Sequence, residues 1–207
     1  VSHNLSALAN LCPKAFWLDQ GQIKDYGDSS TVIQNYVSNR TLGGDLDLTN
    51  HPGRHGVHAL IRRVRLTTDN APTATFKSTG PFSFEVECAA DPTIMKQMSL
   101  GFNIRDYLGT VLFASHLNQY QEEVQATGET ILIQVVIDPL PLAPGSYQLS
   151  LYLATGASNI DVVEDAASFD VVWDQKIGLI YPPPPGWGPL FVPVDWRVPK
   201  NNDTRTD

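Results

Sequence analysis

Residues 98–117 read Met98-Ser-Leu-Gly-Phe-Asn-Ile-Arg-Asp-Tyr-Leu-Gly-Thr-Val-Leu-Phe-Ala-Ser-His-Leu117. Leu100, Phe102 and Ile104 alternate with Gly101, Asn103 and Arg105, the period of two that marks a half-buried strand. Asp106-Tyr-Leu-Gly109 supplies turn residues, with Gly109 free to take positive φ, and a second apolar run, Val111–Ala114, follows at once. The pattern is a β-hairpin.

The chain on either side of the hairpin reads the same way. Val57–Thr68 is strand-like, and its alternation slips near Ile61-Arg62-Arg63, which predicts a bulge. Thr67–Pro72 reads as a turn. Phe82, Phe84, Val86 and Cys88 lie on one face of a strand, as do Ile131, Ile133, Val135 and Ile137 of Thr130–Ile137. Pro144-Gly145 opens Ser146–Thr155, where Tyr147, Leu149, Leu151 and Leu153 alternate with Gln148, Ser150 and Tyr152. Val162-Val163 reads as a short strand, and Ala167–Trp173 ends the run. Roughly seven or eight strands with turn signals between them predict a mainly β fold, an antiparallel immunoglobulin-like β-sandwich, over residues 54–175. Leu140–Tyr147 reads as a crossing between strands.

The flanks differ in character. Residues 1–39 read as a small α+β unit: a helix through Leu5, Leu8 and Leu11 that stops at Pro13, a hairpin turning at Asp19-Gln-Gly21, and a helix capped by Asp28, Ser29 or Ser30 with Val32, Ile33, Tyr36 and Val37 on one stripe. Residues 40–53 are rich in Gly, Asp and Asn and read as a linker. Residues 176–207 form a proline-rich aromatic tail, expected to pack Trp187, Phe191 and Trp196 on the sandwich or on a partner subunit, with a disordered end from Lys200.

Composition narrows the function. The formal net charge of −8 argues against a nucleic-acid surface, and an uncharged glycan is compatible with it. Cys12 and Cys88 are far apart in unlike contexts, which predicts buried free thiols in a reducing compartment. No apolar run approaches the roughly 20 residues of a membrane span. Without a signal peptide or initiator Met, Val1 reads as a cut through a longer protein. His51, His55 and His58 cluster around Pro52-Gly53, but Pro52, Gly53 and Gly56 oppose the helix that would gather them, so no metal site is expected. Glu85 with Glu87, and Glu122 with Glu123, make no convincing glycosidase pair. No phosphate-loop motif occurs, so this chain is not expected to hydrolyse ATP alone, and no catalytic residue is assigned.

Two sets of motifs resemble a known family. Val1-Ser-His-Asn4, a helix, Phe16-Trp-Leu-Asp-Gln-Gly-Gln-Ile-Lys-Asp-Tyr-Gly27 and a Val-Ile-x-x-Tyr helix look like the end of an ABC-transporter ATPase domain. Arg54-His-Gly-Val-His-Ala-Leu-Ile61, Gly101-Phe-Asn-Ile-Arg-Asp-Tyr-Leu-Gly109 and Leu142-Ala-Pro-Gly-Ser-Tyr147 look like the opening strand, hairpin and strand entry of the C-terminal domain of Wzt-type ATP-binding subunits. The resemblance implies export of O-antigen-like polysaccharide (lipopolysaccharide in class) through a transmembrane subunit, at the cytoplasmic face of the bacterial plasma membrane. It implies a glycan-binding sandwich that can dimerise, ATP and Mg in the parent protein but no cofactor in this piece, and His3 as the nucleotide-sensing switch histidine. After the hairpin the family commonly continues into a Thr-Asn-Thr-like stretch, where this chain has Ala114-Ser-His-Leu-Asn118.

Sugars are held by rings stacked on their C–H faces and by planar polar groups that share hydroxyl hydrogen bonds. Alternation places Asn103 and Arg105 outward on one strand and His116 on its neighbour. Gln134, Gln148, Ser150 and Tyr152 point away from the apolar rows of their own strands. These seven residues are the expected glycan platform on one polar sheet face, with Tyr107 and Tyr120 as loop-tip alternatives. The competing roles are an enzyme and a sandwich that serves only to dimerise the ATPase.

Overall fold

The computed structural model describes residues 8, 11–19, 21–38, 43–56, 58–69, 71–89, 98–120, 130–156, 158–174 and 188–192. His3, most of the first expected helix and most of the tail lie outside these residues.

The N-terminal part is a hairpin and a helix. Strands β1 (Lys14–Asp19) and β2 (Gln22–Asp28) pair antiparallel, and Gly21 turns between them at φ 77°. Helix α1 spans Ser29–Ser38. The Asp28 carboxylate accepts from the Thr31 N–H at 3.3 Å, one of the caps expected from the sequence. Val32 and Ile33 are buried, and the Trp17 and Tyr36 rings meet edge to face at 5.7 Å.

The sandwich follows. Its strands are β3 (Asp45–Asp47), β4 (Arg54–Gly56), β5 (Ile61–Thr68), β6 (Ala71–Pro72), β7 (Thr75–Lys77), β8 (Phe82–Ala89), β9 (Met98–Asp106), β10 (Val111–His116), β11 (Thr130–Ile137), β12 (Gly145–Thr155) and β13 (Ser158–Val172). One sheet has the order β11-β8-β5-β3, with β6 paired to β5; the other has β10-β9-β12-β13-β4, with β7 parallel beside β13. The inward rows of both sheets close on an aromatic centre in which Phe82 lies 4.6 Å from Phe76 and 4.7 Å from Phe169, and Phe84 lies 5.2 Å from Phe102. Cys88 is buried in this core, and burial pushes its thiol up to about 12.

The hairpin that opened the sequence reading is β9–β10, with Gly109 at φ 85°, and the expected bulge falls between Ile61 and Arg63. Three expectations are corrected. The strand read over Val57–Thr68 begins only at Ile61, and a separate strand ahead of it, Arg54–Gly56, joins the other sheet. The two strands read at Val162-Val163 and Ala167–Trp173 are one, β13, interrupted by a bulge at Glu164–Ala166 that scrambles the alternation. The linker does not extend through 40–53, because β3 pairs with β5 and Leu48 is fully buried.

Candidate functional site

The polar rows of β9, β12 and β13 meet on the outward face of the larger sheet. Register sets Arg105 opposite Gln148, Asn103 opposite Ser150, and Gly101 opposite both Tyr152 and His116. Six of the seven predicted residues are therefore gathered by three neighbouring strands, β10, β9 and β12. Gln134 is the exception. It lies on β11, in the other sheet, because alternation tells which side of a strand faces the core but not which sheet the strand joins. With His116 it lines a groove of about 570 Å³ where edges β10 and β11 face each other, among Phe113, Tyr120, Ile133 and Ile137.

The face is sheltered rather than freely solvated. Asn103 is 8 % exposed, Gln148 5 % and Ser150 0 %. Asn103 Nδ2 donates to Tyr152 Oη at 2.7 Å, and Arg105 Nη2 donates to the same oxygen at 3.2 Å. Ser150 Oγ accepts from the Asp165 N–H of the β13 bulge at 3.1 Å. Farther along, Ser146 Oγ donates to Asp170 Oδ1 at 2.7 Å.

Gly101 is a site residue that the pattern alone does not single out. A Cβ there would stand 2.3 Å from His116 Nδ1, so the imidazole lies directly over the bare glycine. A glycine inside a strand pattern is a sign of close approach, and that is the available signal. The result is an imidazole seated over Gly101, with Tyr152 on the neighbouring strand and the amide of Asn103 bonded to it.

A second cleft, of about 560 Å³, opens where the Asp47–Gly53 segment lies against the β13 bulge, among Leu46, Asp47, His51, Glu164 and Asp165. Burial holds the His51 imidazole below its usual range; Asp165 opposes this and Arg54 adds to it. His51 Nδ1 accepts from the Gly53 N–H at 3.1 Å. Among the described residues no His, Cys, Asp and Glu group is placed to hold a metal.

A family model described as the Wzt C-terminal domain matches residues 53–181, more than half of the chain. The chain belongs to that family. The crystal structure of the C-terminal domain of Wzt superposes with a TM-score of 0.59 over 73 % of this chain and 95 % of that one, at 14 % identity, a likeness of fold. Teichoic acids export ATP-binding protein TagH from Bacillus anthracis is 44 % identical over 36 residues, as is its counterpart from Bacillus cereus. Those matches cover 17 % of this chain and 7 % of each relative.

The motifs that carried the Wzt resemblance are mostly structural in this Wzt-type domain. Arg54 donates to both oxygens of Asp161, a carboxylate that is fully buried on β13, and to the carbonyls of Leu48 and Ile61. Asp161 in turn accepts from the Leu60 and Ile61 N–H groups. Gly56, at φ 133°, brings its backbone against Ile160, where a Cβ would stand 2.8 Å from the carbonyl oxygen. The Arg-x-Gly motif thus ties β4 and the start of β5 to β13. Tyr147 Oη donates to the Ala143 carbonyl at 2.7 Å, four residues back, and fixes the entry to β12. The Gly101–Gly109 motif alone contributes to the candidate site.

Proposed function

We propose that this chain is the glycan-recognising end of the ATP-binding subunit of an ABC exporter that moves an O-antigen-like cell-surface polysaccharide. Membership of the Wzt C-terminal domain family supports the setting, and so does the local similarity to proteins named for teichoic acid export. The observation that carries glycan recognition is the Tyr152–Gly101–His116 row beside Asn103, Ser150 and Gln148. It offers two rings for a sugar's C–H face and, beside them, planar amides for its hydroxyls. In this reading the hairpin and α1 close a parent ATPase domain that binds ATP and Mg, His3 senses the nucleotide, and the parent docks on a transmembrane subunit at the cytoplasmic face of the membrane. Among the described residues no helix is long and apolar enough to cross it.

The test is titration of the chain with the producing strain's purified surface polysaccharide, followed by Trp fluorescence and heat. Saturable binding is expected, and Tyr152→Ala and His116→Ala should each weaken it about tenfold, a change of about 1.4 kcal/mol. A folded chain that binds nothing at millimolar glycan would sink the reading.

A second reading, a sandwich that only dimerises the ATPase, draws on strand β11. It is an edge in the sheet order, carries no charged residue, and exposes Leu132 and Val136. A homodimer in sedimentation, together with absent glycan binding, would favour it.

A further inference from the structure

The hydrogen bonds of Asn103, Arg105 and Tyr152 are incomplete in a way that specifies a ligand. A phenol oxygen has two lone pairs and one proton. Tyr152 Oη already accepts from Asn103 Nδ2 and from Arg105 Nη2, so its own proton is left to donate elsewhere. Asn103 Oδ1 and Arg105 Nε are shielded from water and have no partner among the described residues. Besides the other Nη protons of Arg105 and the second Nδ2 proton of Asn103, the residual set is two donors, one on a cation, and one acceptor held on a side chain that is more than nine-tenths buried.

Charge narrows the choice. A neutral hydroxyl would satisfy one donor and the acceptor, but would leave the guanidinium uncompensated. Of the other arginines described on the sandwich, Arg54 pairs with Asp161, and Arg63 and Arg65 pair with Asp45, while Arg62, near Asp47, makes no ion pair among the described residues but stands on β5 in the other sheet. Arg105 makes no ion pair among the described residues. The chain has 22 acidic residues against 14 basic ones, so an unpaired guanidinium on a sheltered face runs against its composition. The same excess of acid disfavours distant approach of an anion, and affinity must come from contact.

We infer that this subsite takes an oxyanion, carboxylate or phosphate, carried next to a hydroxyl on the glycan. The anion accepts from Arg105 Nε and Tyr152 Oη, both charge-assisted contacts, and the hydroxyl donates to Asn103 Oδ1. Arg105 and Tyr152 are only half-buried, which leaves the ligand an approach from solvent. This rests on the glycan-binding reading of the same face and narrows it to an acidic glycan.

The test is calorimetry of the whole chain with three length-matched preparations of the producing strain's surface polysaccharide. One is native, one has its carboxylates reduced with carbodiimide and borohydride, and one is dephosphorylated with cold hydrofluoric acid. One treated form should bind at least about tenfold more weakly than the native form, and which one identifies the anion. Arg105→Gln should lower native affinity to that of the weakened form and leave the weakened form's affinity unchanged. Tyr152→Phe, which keeps the ring, should lower native affinity in the same selective way. Saturable, equal binding of all three preparations overturns the anion subsite and leaves glycan recognition standing. So does an Arg105→Gln loss that is equal for native and treated glycan. Failure of all three to bind a chain with native near-UV dichroism overturns both.

Discussion

At the scale of single residues, the buried pair of Arg54 and Asp161 ties the sandwich together outside its apolar core. Asp161 stands on β13 opposite Leu153, on the side that faces the core, where a carboxylate is tolerable only because it is fully hydrogen-bonded. Removing one partner leaves the other charge buried and alone. Asp161→Ala is therefore expected to cost about 3–5 kcal/mol in urea unfolding, whereas Glu87→Ala, on the outward face of β8, should change the midpoint little. Equal effects of the two changes would contradict the role given to the pair. The sequence marks Arg54 through its motif but does not mark Asp161. An acid within Asn159-Ile-Asp-Val-Val163 looks like a solvated strand position, and only the fold shows which side it faces.

At the scale of elements, regular alternation is legible in the sequence and interruptions are not. The β9–β10 hairpin, β8, β11 and β12 follow from period-two patterns that have few irregularities. The pattern divides β13 in two because its bulge inserts extra residues at Glu164–Ala166, and Asp165 at φ 51° turns the chain there. β3 is hidden among Gly, Asp and Asn, although Leu46 and Leu48 sit two residues apart within it and just beyond. The segment it begins is pinned to the bulge: the Glu164 N–H donates to the Gly53 carbonyl at 2.9 Å, and His51 Nδ1 holds the Gly53 N–H. His51 gives that attachment a pH dependence. Burial lowers its folded pKa, so the unfolded chain binds the proton more readily. The stability contribution is complete above the unfolded value of about 6.5 and is lost as pH falls from there through the folded value. Urea midpoints measured between pH 7.5 and 5 should fall with pH, and His51→Gln should flatten that part of the curve. An unchanged slope in the variant would remove His51 from the account.

At the scale of the whole molecule, the candidate site is a product of topology more than of any motif. Asn103, Arg105 and His116 lie on one sequence hairpin and could be placed together from the pattern. Their partners Gln148, Ser150 and Tyr152 arrive because β12 pairs with β9, and Gln134 is excluded because β11 pairs with β8. No local periodicity encodes those pairings, which join segments tens of residues apart. The same topology sets where the domain starts. The family match begins at residue 53, yet β3 pairs with β5 from Asp45, Asp45 bonds Arg63 and Arg65, and Leu48 fills the core at 0 % exposure. A chain cut at 54 loses the burial of Leu48, about 1.5–3 kcal/mol, and also the β3 ladder and the Gly53–Glu164 bond. It also leaves the β5 edge bare, which invites pairing between chains. Residues 54–207 should therefore melt roughly 6–12 °C below residues 43–207 and self-associate as concentration rises, while 43–207 should retain the sandwich unfolding transition of the whole chain. Coincident melting curves for the two truncations would show that β3 and Leu48 are dispensable, and that the domain does begin where the motif-bearing arginine stands.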